Sequence, residues 1–125
     1  MKTNIKTVIA IVVFTMISVI GNAQFKMDSD GRTLGNSSGS TVGKIDSDGR
    51  TVSNASGSTV GKVDSDGKTI SNRNGSTVLK ISGNDINNAS GSTIAKMSDV
   101  TSAITGAKSE AVYVALWWFI VKSNN

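Results

Sequence analysis

The sequence predicts an all-β repeat protein, and three observations carry that prediction. The first is self-similarity. KMDSDGRTLGNSSGSTVG (residues 26–43), KIDSDGRTVSNASGSTVG (44–61) and KVDSDGKTISNRNGSTVL (62–79) recur every 18 residues, and a shortened copy, KISGNDINNASGSTIA, fills 80–95. A fifth copy begins at Lys96-Met97. The second is turn chemistry. Each unit has an Asp-Ser-Asp-Gly half, as at Asp46 to Gly49, and an Ala-Ser-Gly-Ser half, as at Ala55 to Ser58. Glycine supplies positive φ at no steric cost, so such pairs beside Thr-aliphatic runs mark tight turns between short strands.

The third observation is what varies between copies. Met27, Ile45, Val63, Ile81 and Met97 make one column; Leu34, Val52, Ile70 and Ile86 a second; Val42, Val60, Val78 and Ile94 a third. These columns hold only aliphatics and Met, with Thr, Ser, Asn and Lys around them, so they are the expected core. Val42 and Ile45 are three apart, an odd offset that strict alternation would send to opposite faces. Gly43 and Gly61 lie inside those gaps, and a bulge or corner there is expected to return both side chains to the core. The fourth unit replaces the longer turn with Ser82-Gly83-Asn84 and keeps its columns, as a change in a surface loop should.

Residues 1–23 read as an address. Lys2 and Lys6 precede a run from Thr7 to Ile20 of almost unbroken apolar residues, and Gly21-Asn22-Ala23 offers small residues at the −3 and −1 positions of a cleavage site. A run of 14 residues is short of the roughly 20 that a spanning helix needs. The expectation is a signal peptide cleaved near Ala23, one β-repeat domain over residues 24–125, and a secreted or periplasmic location.

Composition narrows the chemistry. The chain has no Cys and no His, which removes the thiol nucleophile, the usual neutral-pH acid/base group and the common transition-metal ligands. Disulfides are also excluded. Without Lys2 and Lys6, 11 Lys and Arg face 9 Asp and Glu, and within a repeat the charges cancel: Lys44 and Arg50 against Asp46 and Asp48. There is no basic patch interleaved with aromatics, so nucleic acid is not an expected partner.

The remaining apolar segment is Ala111 to Val121, eleven residues broken only by the Tyr113 hydroxyl. It is too short to cross a bilayer, which argues against an integral membrane protein. Residues 26–110 contain no aromatic side chain, so Tyr113, Trp117, Trp118 and Phe119 hold most of the large apolar area available to the domain. The segment is expected to plug and close the repeat core, as a strand buried on both faces or as a short buried helix. An exposed membrane-inserting or partner-binding patch is the sharper reading.

Together these features resemble the five-fold β-flower family of small secreted bacterial repeat proteins. The likeness rests on the leader, the units written aliphatic–Asp–Ser–Asp–Gly–x–Thr–aliphatic and Asn–Ala–Ser–Gly–Ser–Thr–Val–Gly–Lys–Ile, and the aromatic end Ala115 to Phe119. It implies a closed radial array of short β-hairpins about a pseudo-five-fold axis, and implies no activity. Without it, an open β-solenoid with two nine-residue halves per coil is the alternative, although calcium β-rolls use Gly-Gly-x-Gly-x-Asp turns that are not found here.

Two sets of residues are candidate ligand positions. The paired acids Asp46/Asp48 and Asp64/Asp66, with Asp28/Asp30 in the first unit, invite a calcium reading. An EF-hand loop also needs a third spaced oxygen ligand and a distant bidentate Glu, so turn-capping is the better account and no metal is expected. Lys26, Lys44, Lys62, Lys80 and Lys96 hold one equivalent position and would form a ring on a radial array, solvated or anion-binding. Repeated carboxylate pairs without a cleft-forming insertion do not suggest glycoside hydrolysis, and Ser and Thr have no His to activate them. The expected function is a structural or binding module without catalysis or cofactor. The alternatives are a cell-envelope polysaccharide or anion binder, or peripheral membrane association through the C-terminal aromatics.

Overall fold

The structure, a computed structural model, describes residues 24–124; the leader expected over residues 1–23 lies outside the described residues. Nine short strands follow one another: β1 (Phe25–Met27), β2 (Thr33–Gly35), β3 (Thr41–Ile45), β4 (Thr51–Asn54), β5 (Thr59–Val63), β6 (Thr69–Asn72), β7 (Thr77–Ser82), β8 (Asp85–Asn88) and β9 (Thr93–Lys96). Each pairs antiparallel with the next. Helix α1 (Met97–Ala103) then leads into β10 (Ile104–Thr105), which lies parallel to β1. The resulting ten-stranded sheet has β9 and β10 as its edges, and α1 is the covalent link between them. A second helix, α2 (Ala111–Leu116), continues as a π-helical turn (Trp117–Val121) and a final 3₁₀ turn (Lys122–Asn124).

The alternation of strands gives the molecule two ends, each with its own turn chemistry. At one end lie the Asp turns. Asp46 N–H donates to Thr51 C=O at 2.8 Å and Gly49 N–H donates to Asp46 C=O at 2.9 Å, with the same pair of bonds around Asp28 and Asp64. Gly31, Gly49 and Gly67 have φ of 71°, 74° and 72°, as the sequence requires of them. At the opposite end lie the Asn turns, where Asn54 N–H donates to Ser58 C=O at 2.9 Å and Gly57 N–H to Asn54 C=O at 3.0 Å. Asn36, Asn72 and Asn88 begin the equivalent turns.

The first two aliphatic columns form the core. Leu34, Val52, Ile70 and Ile86 are fully buried, as is Ile104 on β10, which faces Phe25 as Leu34 faces Gly43. Met27, Ile45, Val63 and Met97 are buried, while Ile81 in the shortened unit is half-buried. The third column needs correction. A register shift does occur where expected: Leu34 pairs with Gly43 and Gly35 with Thr41, so Val42 is the extra residue of a bulge. The bulge does not return Val42 to the centre, however. Gly43, Gly61 and Leu79 take the inward place, Val42, Val60 and Val78 are half-buried, and Ile94 is 42% exposed.

The C-terminal segment is helical, not a strand. With α2 and the π turn, it packs against the inward face of strands β3 to β6. Ala111 through Trp117, Ile120 and Val121 are buried. Eleven consecutive apolar residues give no period by which to choose strand or helix, and the deciding factor is shape. A notch at Gly43 and Gly61 admits a helix where a full ring of aliphatics would leave no room. The segment starts at the Asp-turn end, where the Tyr113 hydroxyl donates to Gly31 C=O at 2.9 Å. It finishes toward the Asn-turn end, with Phe119 against Gly61, a residue paired with Asn72.

Candidate functional site

Each Asp turn is closed by its second acid. One oxygen of Asp48 accepts the backbone N–H groups of Arg50 and Thr51, both at 2.8 Å, and the other accepts the Thr51 hydroxyl at 2.6 Å. Asp66 repeats the pattern with Lys68 at 2.9 Å and Thr69 at 2.9 and 2.6 Å. Asp30 does so with Arg32 and Thr33. These bonds favour the charged form, so the carboxyls of Asp48 and Asp66 are held down at about 2, led by the threonine hydroxyl, and that of Asp30 is lowered, led by the Arg32 amide. The first acid of the pair does less: Asp46 and Asp64 each accept one hydroxyl, from Ser53 at 3.0 Å and Ser71 at 3.2 Å.

The two acids of a pair therefore serve separate partners, and they do not converge on a shared ligand position. Among the described residues, no group of three or more acids is placed to hold a metal ion. The Asn turns use an analogous device that the sequence reading did not single out. Asn54 Oδ1 accepts the N–H groups of Ser56 and Ser58, both at 3.0 Å, and Asn36, Asn72 and Asn88 do likewise. The signal was available: an Asn stands three residues before a turn Gly in all four copies.

Lys26, Lys44, Lys62, Lys80 and Lys96 all point outward, one on each of β1, β3, β5, β7 and β9. An intervening strand separates neighbours in this set, which spaces their backbones by roughly 10 Å, twice the ~4.8 Å strand separation. The set is thus a dispersed belt and does not close around one small anion. Lys96 is further drawn aside by an ion pair with Asp85, the only one among the described residues.

The structure does bring Lys44 and Asp46 together with residues of the preceding hairpin. A groove of about 560 Å³ between the first and second units is lined by Asp30, Arg32, Thr33, Lys44, Asp46, Ser47 and Ser53 among others. Pairing of β2 with β3 creates it, setting Thr33 opposite Lys44. Arg32 and Lys44 belong to different copies of the repeat, so no spacing within one unit could have revealed their meeting. Asp64 lies in a different groove, of about 420 Å³, with Arg50, Glu110 and Val112 at the Asp-turn end.

Ten short strands in one sheet, left open between the edges β9 and β10 and covered on the inward face by a helix, define a class of small β-repeat proteins. The family model described as 5-fold beta-flower protein matches residues 18–119, and the chain belongs to that family. No curated protein and no solved structure matches it.

Proposed function

We propose that the protein is a non-catalytic binding module of the cell envelope, secreted or periplasmic after removal of the leader near Ala23, that holds hydroxyl-rich polysaccharide on its outer face. The observation carrying this reading is the groove between the first and second units. Arg32 and Lys44 there face Asp30 and Asp46, so two cations and two carboxylates leave its field nearly balanced. A balanced groove suits the alternating donors and acceptors of sugar hydroxyls better than a free anion. The Ser47 hydroxyl extends the same polar lining, while the hydroxyls of Thr33 and Ser53 donate to Asp30 and Asp46 and hold the two carboxylates in place. The non-catalytic reading is supported by the lack of His and Cys in the chain and by the Asp turns, where the carboxylates of Asp48 and Asp66 are occupied in capping their own backbone and threonine hydroxyl.

The test is retention of the protein on insoluble cell-wall polysaccharide. The parent should be retained, and an Arg32→Ala, Lys44→Ala double variant should be released at least tenfold more readily at unchanged thermal stability. Equal retention of parent and variant would move binding away from the groove, and no retention of the parent would end the polysaccharide reading.

A further inference from the structure

The two ends of the molecule differ in charge. All nine Asp and Glu residues of the chain fall at the Asp-turn end: six in the Asp turns, Asp85 beside the short Gly83-Asn84 turn, Asp99 in the first turn of α1, and Glu110 at the start of α2. The Asn-turn end carries no acidic side chain. It has Arg73, in the turn between β6 and β7, and Lys122, where the C-terminal helix finishes.

That same end is apolar. Trp118 and Phe119 are half-buried, and the bulged column adds Val42, Val60 and Val78 in a similar state and the exposed Ile94. Trp118, Phe119, Lys122 and Ser123 line a shallow cavity of about 270 Å³. The π turn arranges this. Its wider winding bonds Lys122 N–H to Trp117 C=O and stations the Lys122 ammonium 5.1 Å from the centre of the Trp117 ring, at the rim of the apolar patch. Strand β1 runs toward the first Asp turn, so Phe25 also lies at the Asn-turn end.

We infer that the Asn-turn end docks on the surface of an anionic phospholipid bilayer, Trp118 and Ile94 entering the interface beside the inward-anchored Phe119, and Lys122 and Arg73 meeting the lipid phosphates. Aromatic rings with a cationic rim are suited to that boundary, and each basic residue near an anionic surface adds attraction. The alternative occupant is a second copy of the chain. A two-fold contact through this face would bring Lys122 and Arg73 toward the same cations with no acidic side chain between them, which disfavours it. The inference is independent of the polysaccharide groove, which lies between hairpins on the outer face.

The experiment exploits the chain's two tryptophans. Protein purified from the medium or periplasm of secreting cells is mixed with vesicles carrying brominated acyl chains, either of phosphatidylcholine alone or with about one third phosphatidylglycerol. Fluorescence should be quenched with the anionic vesicles only, and Trp118→Phe should abolish the quenching because Trp117 is buried. Lys122→Ala should lower partitioning about fivefold, the effect of one basic residue at such a surface. Absence of quenching, quenching that survives Trp118→Phe, or partitioning indifferent to Lys122→Ala would each overturn the proposal. So would a lipid-free dimer in sedimentation velocity that Lys122→Ala strengthens and Trp118→Ser dissolves.

Discussion

The ring of Phe119 stands where a side chain at Gly61 would project. A Cβ built on Gly61 meets Phe119 Cζ at 2.6 Å and the Ser71 carbonyl oxygen at 2.8 Å, whereas one on Gly43 meets Ile120 Cγ1 at 2.9 Å and the Ser53 carbonyl at 3.2 Å. Neither glycine has positive φ, so both are there for space and not for backbone freedom. Gly61→Ala is expected to destabilise by about 1–3 kcal/mol, the usual cost of overpacking. Gly43→Ala should cost less, because the flexible Ile120 can yield and the backbone contact is longer. Chemical denaturation measures both. Phe119→Leu placed on Gly61→Ala should recover part of the loss, and a strictly additive double variant would refute the notch.

The turn glycines fail for the opposite reason. A Cβ on Gly49 or Gly67 meets nothing within 4 Å, but φ of 74° and 72° is a region where a β-branched residue is strained. Gly49→Val and Gly67→Val should each cost roughly 1–3 kcal/mol and by similar amounts, and Gly57→Val in an Asn turn should join them. If all three variants unfold at the denaturant midpoint of the parent, the positive-φ requirement is wrong.

Legibility in the sequence followed the same division between space and backbone. Turns were readable because Gly after Asp, repeated at one spacing, reports a local conformation that needs no knowledge of partners. The columns of Met27 and Leu34 were readable because only aliphatics and Met vary in them, but the Val42 column meets the same test and is left half-buried or exposed by the bulge. The inward column was not, because its members are Gly43, Gly61 and Leu79, a set with no common chemistry until Phe119 and Ile120 are seen to fill the gap. Ile104 could have been placed: it follows Met97 by seven residues, as Leu34 follows Met27 and Val52 follows Ile45. The groove of Arg32 with Lys44 is a product of β2–β3 pairing, so it belongs to the tertiary structure alone.

The Asp turns should leave a mark on acid stability. The unfolded carboxyl titrates near 3.9, and the folded carboxyls of Asp48 and Asp66 near 2. A depressed folded value means that the unfolded chain binds protons first as pH falls. The contribution is therefore complete above about pH 5 and is lost between pH 4 and 2. Carboxyl NMR titration should place both residues near 2. Thr51→Val removes the largest cause at Asp48 and should raise that residue alone, leaving Asp66 in place. A common shift of both, or of neither, would contradict local control by the threonine hydroxyl.

The C-terminal segment should decide whether the domain folds at all. Val112, Tyr113, Val114, Leu116, Trp117, Ile120 and Val121 are buried, and at about 1.5–3 kcal/mol each they contribute roughly 10–20 kcal/mol. A domain of this size has only about 5–15 kcal/mol of net stability, so the remaining sheet cannot stand without them. Deletion of residues 111–125 is expected to abolish cooperative thermal unfolding and near-ultraviolet circular dichroism. A graded version uses the bond between the Tyr113 hydroxyl and Gly31 C=O, which ties the start of the segment to the first Asp turn. Tyr113→Phe should cost about 1 kcal/mol, the typical worth of one hydrogen bond, while keeping the fold. A truncated protein that still melts cooperatively would show that the repeats carry their own core and that the helix is an accessory to it.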